Sequence, residues 1–84
     1  MTNQPTKPEP TAAETYAAHR ADIARLLDVL AMELDRHDAR AKSEPDHWGL
    51  AENLGKVRRD LINTVAFMSN MDPQHVETFL NDAE

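Results

Sequence analysis

Hydrophobic residues in the stretch 46–70, DHWGLAENLGKVRRDLINTVAFMSN, recur on two faces of one helix. Leu50, Leu54, Val57, Leu61, Val65 and Met68 line the first face; Trp48, Ala51, Gly55, Ile62, Ala66 and Ser69 line a second, narrower one made mostly of small residues. Phe67 lies off both and is expected to be covered by the last segment of the chain or by another chain. A helix with two apolar faces needs two neighbours.

The first neighbour is expected from the preceding segment. Thr11 and Glu14 have the T-x-x-E spacing of a capping box, which predicts a helix from about residue 12. From there to Lys42, Tyr16, Ile23, Leu26, Leu27, Leu30, Leu34 and Ala41 keep helical spacing with no Gly or Pro between them. Arg36, Arg40 and Lys42 gather in the last turns, where they oppose the negative end of the helix dipole. Such a helix spans on the order of 45 Å and requires a partner of matching length. Ser43 and Asp46 resemble a second capping signal, with Pro45 in the first turn of a helix running to 70. A short connection between long helices predicts an antiparallel hairpin, with Leu34 opposite Leu54, Leu27 opposite Leu61 and Ile23 opposite Val65.

Asp72-Pro73 reads as an N-cap followed by a first-turn proline, starting a short helix over 73–81. Its apolar residues Val76, Phe79 and Leu80 are expected to fold back near Tyr16, Ala12 and Met68. Residues 1–10, with Pro5, Pro8, Pro10 and polar fillers, are expected to form a disordered tail. The resulting fold class is all-α: one helical domain over 11–84, built as a long hairpin plus a short C-terminal helix. It is expected to pair as a homodimer in a four-helix bundle with coiled-coil packing. Eighty-four residues lie near the lower limit for an adequate independent core, which favours self-association.

Charge narrows the function classes. A net charge of -6 opposes nucleic acid and anionic lipid, and the basic residues Lys56, Arg58 and Arg59 are interleaved with acids and have no stacking aromatic among them. The absence of cysteine removes thiolate and disulfide chemistry; with no secretory h-region and no apolar run of membrane length, a cytoplasmic setting is expected.

Candidate chemistry is sparse. Glu44 and His47 have the E-x-x-H spacing used in carboxylate-bridged metal bundles, and His37, Glu44, Asp46 and His47 form the alternative metal set at the hairpin tip. Tyr16, His19 and His75 are candidates for acid-base work if the last helix folds back, but no nucleophile motif or phosphate-binding glycine loop accompanies them. No enzyme activity, metal or other cofactor is therefore expected. Gly55 carries a stronger signal. Glycine inside a helix costs about 1 kcal/mol relative to alanine, which suggests a close approach by another element. Trp48, Ala51, Gly55, Ile62, Ala66 and Phe67 are the candidate interface of a small adaptor or regulatory protein that binds itself or another protein. The remaining alternative is an acidic inhibitor or antitoxin-like regulator of a nucleic-acid-binding partner.

Overall fold

The structure is a computed structural model that describes residues 9–83. The expected tail of 1–10 therefore lies, up to residue 8, outside the described residues. All described regular structure is helical: α1 (Ala12–Ser43), α2 (Trp48–Ser69) and α3 (Pro73–Asp82). The chain divides between Arg40 and Ala41 into two compact units.

The first unit is dominated by α1. Its start is the expected capping box: the Thr11 amide donates to Glu14 Oε1 at 2.8 Å, and the Glu14 amide donates to Thr11 Oγ1 at 3.1 Å. Two amides that a helix start leaves without carbonyl partners are thereby satisfied. Continuous helical spacing carries the element through 32 residues, yet none of them is buried. Ile23, Leu26 and Leu27 remain more than half exposed, and Leu30 is half-buried.

The second unit takes in the last residues of α1, and a turn follows them. The His47 amide donates to the Glu44 carbonyl at 3.1 Å, closing a four-residue reversal with Pro45 in its second place. The sequence reading puts Pro45 in the first turn of α2, but α2 begins at Trp48, with His47 as its N-cap. The fixed φ of proline suits either position, and the closing hydrogen bond selects the turn. Ser43 is the last residue of α1 and does not cap α2. The His47 side chain makes no capping hydrogen bond.

At its other end α2 is stopped by Asn70, whose φ of 62° places it in the left-handed region. Asparagine tolerates that region better than most residues. The amides of Asn70 and Met71 both donate to the Ala66 carbonyl, so the chain reverses tightly around the end of the helix. Asp72 then caps α3, its carboxylate accepting from the Gln74 amide at 2.8 Å, with Pro73 in the first turn.

This reversal directs α3 onto the second face of α2. Val76 packs with Ile62 and Ala66, and the three are 7%, 8% and 4% exposed. Met68, the expected site of α3 docking on α2, is 75% exposed. Arg58 reaches across to Glu77 at 3.0 Å, with both side chains about half exposed. A pair so solvated contributes less than about 1 kcal/mol. Replacing Asp72 with Ala is expected to destabilise α3 by about 1 kcal/mol, the typical value of an N-cap, without changing the helicity of α1. Site-resolved amide exchange should show faster exchange confined to 73–82.

Candidate interaction surface

The expected interface residues divide into two groups. Ile62 and Ala66 are covered within the chain by Val76, so they belong to the small α2–α3 core and offer no free surface. Trp48 and Phe67 are open, at 79% and 84% exposure, and Ala51, one turn on from Trp48, is exposed as well. Gly55 is half-buried. A Cβ added there would meet only the Arg59 guanidinium, at 3.6 Å from Nη1, which is ordinary contact. No described residue therefore approaches Gly55 too closely for alanine, and the helix cost of the glycine has no internal compensation.

The α2–α3 junction carries two open grooves. One is lined by Ala66, Phe67, Met71 and Pro73 together with Asn63, Asn70 and Asp72. The other, lined by Arg59, Ile62, Asp72 and Glu77 among others, carries more charge. Phe67 thus borders a groove without being covered by α3. Periodicity leaves Phe67 off both faces of α2, and its exposure follows from that position.

The candidate polar chemistry is dispersed. Among the described residues, no group of three or more His, Asp or Glu side chains is gathered to hold a metal ion, and this includes His37, Glu44, Asp46 and His47. The His47 imidazole instead lies against Gly49: a Cβ on Gly49 would stand 2.8 Å from His47 Cε1. His37 is half-buried, and both of its ring nitrogens are shielded without a hydrogen-bond partner. Such a group is costly to leave unsatisfied. Tyr16, His19 and His75 are exposed. Three basic side chains are engaged with acids: Lys56 with Asp60 at 2.6 Å, Arg58 with Glu77 and Arg36 with Glu33.

No family model, curated protein or solved structure matches this chain. No helix among the described residues is long and apolar enough to cross a membrane. What the geometry offers is exposed apolar helix surface.

Proposed function

We propose that this chain is a small, non-enzymatic interaction protein that completes its fold by self-association and acts as an adaptor or regulator through its exposed helix faces. The observation that carries this reading is the balance of apolar residues. Four are buried among those described, while sixteen large ones stay exposed. A chain of this length lies near the lower limit for an independent core, so exposure on this scale favours association.

The proposed arrangement is a hairpin in which α1 runs antiparallel to α2, with Leu34 opposite Leu54 and Leu27 opposite Leu61, and two hairpins form a four-helix homodimer. Trp48, Ala51, Gly55 and Phe67 supply further contact surface, the exposed tryptophan being the strongest anchor by type. Sedimentation of the native chain should give at least twice the mass of one chain. Gly55→Leu should lower that mass or reduce solubility, because leucine fills the space above the glycine while leaving Ile62, Ala66 and Val76 in contact. A native chain that sediments as a fully helical monomer would sink the proposal.

A further inference from the structure

We infer that the surface through which two copies meet is the exposed face of α1, with the two α1 helices antiparallel and the two-fold axis passing between Asp28 and Val29. The inference rests on the self-association proposed above and places its two-fold seam on α1, since part of the α2 face is already covered by Val76.

Read in sevens, α1 places Arg20, Leu27 and Leu34 at one core position and Ile23, Leu30 and His37 at the other. In an antiparallel pair, one kind of position faces the other. A single register sets Ile23 opposite Leu34 and Leu27 opposite Leu30, which leaves Arg20 opposite His37 at both flanks. Each pairing occurs twice by symmetry, as an isologous contact requires.

The alternatives are worse. A slide of one heptad sets Arg20 against Leu30 in one direction and His37 against Leu27 in the other. A parallel, in-register pair sets Arg20 against Arg20 of the second copy. Polar residues within an apolar seam commonly fix register in this way. The flank formed by Ala17, Ala24 and Ala31 is small enough for close approach.

The available area is sufficient. Tyr16, Ile23, Leu26, Leu27 and Leu34 are all exposed. At roughly 100 Å² for each, two copies offer on the order of 1,000 Å², the size at which specific interfaces begin. This seam takes Leu27 and Leu34 from the hairpin pairing proposed above, so the two arrangements compete for the same face of α1.

Because the chain has no cysteine, introduced thiols report this geometry directly. Ile23→Cys and Leu34→Cys chains are to be oxidised separately and as a mixture. The mixture should yield at least roughly tenfold more disulfide-linked dimer than either variant alone, because like sites are offset by about 16 Å along the antiparallel helices, beyond disulfide reach. The reduced Ile23→Cys and Leu34→Cys chains should each sediment as the native dimer, so that the cross-links report an unaltered seam. Cross-linking of each variant with itself would show a parallel pair and overturn the inference. A native dimer in which the mixture does not cross-link would overturn it while leaving self-association standing; a native monomer at the same concentration would overturn both.

Discussion

Leu27→Glu is expected to convert the native dimer to monomer and to remove much of the helicity of α1. Leu27 stands next to the inferred two-fold axis and is more than half exposed in the single chain. Its burial therefore depends on a neighbour from outside α1. Losing two leucines at about 1.5–3 kcal/mol each weakens the dimer by roughly 3–6 kcal/mol, about 100- to 10,000-fold in affinity, before the cost of desolvating two carboxylates is added. Helicity falls with association because most helix stability in proteins comes from packing an apolar face. Met32→Glu is the matched control. Met32 is also exposed, yet it lies on the opposite side of α1 from the seam. Sedimentation and circular dichroism across a dilution series should show a lower mass and lower helicity for Leu27→Glu and an unchanged mass for Met32→Glu. A dimer that tolerates Leu27→Glu would place the contact elsewhere.

Ile62→Asp is expected to release α3 from α2. The cluster of Ile62, Ala66 and Val76 is the described core between them, and a ten-residue helix is too short to persist alone in water. The substitution removes about 1.5–3 kcal/mol of apolar burial and places a carboxylate where no partner waits. Neither the half-exposed Arg58–Glu77 pair nor the Asp72 cap can compensate for a loss of that size. Ile62→Val, which trims one methylene, should cost only about 0.5–1.5 kcal/mol. Amide exchange in 73–82 should approach that of an unstructured chain in Ile62→Asp and stay protected in Ile62→Val. Protected α3 amides in the aspartate variant would mean that other contacts hold the helix.

Features determined by neighbouring residues are legible in the sequence. Thr11 and Glu14, and Asp72 and Pro73, mark helix starts because the donors and acceptors involved lie within one turn of each other. Pro45 is ambiguous for an equally local reason: it suits a first helical turn and the second place of a β-turn alike, and only the His47–Glu44 hydrogen bond distinguishes them. Periodicity correctly groups Ile62 and Ala66 on one face, but it carries no information about which element covers that face. The deciding signal is Asn70, a residue suited to a left-handed helix stop, which turns α3 toward Ile62 and away from Met68. The arrangement of α1 depends on long-range burial, and a repeat of apolar positions specifies a seam without naming its occupant.

The short link from Asn70 to Asp72 has a consequence for how so small a core can hold a helix. Tethering by so short a link makes α3 its own ligand at an effective concentration of about the millimolar range, without the translational entropy lost when two separate molecules associate. One valine on two neighbours can then hold α3 in place, although the same contact would be too weak to recruit it from solution.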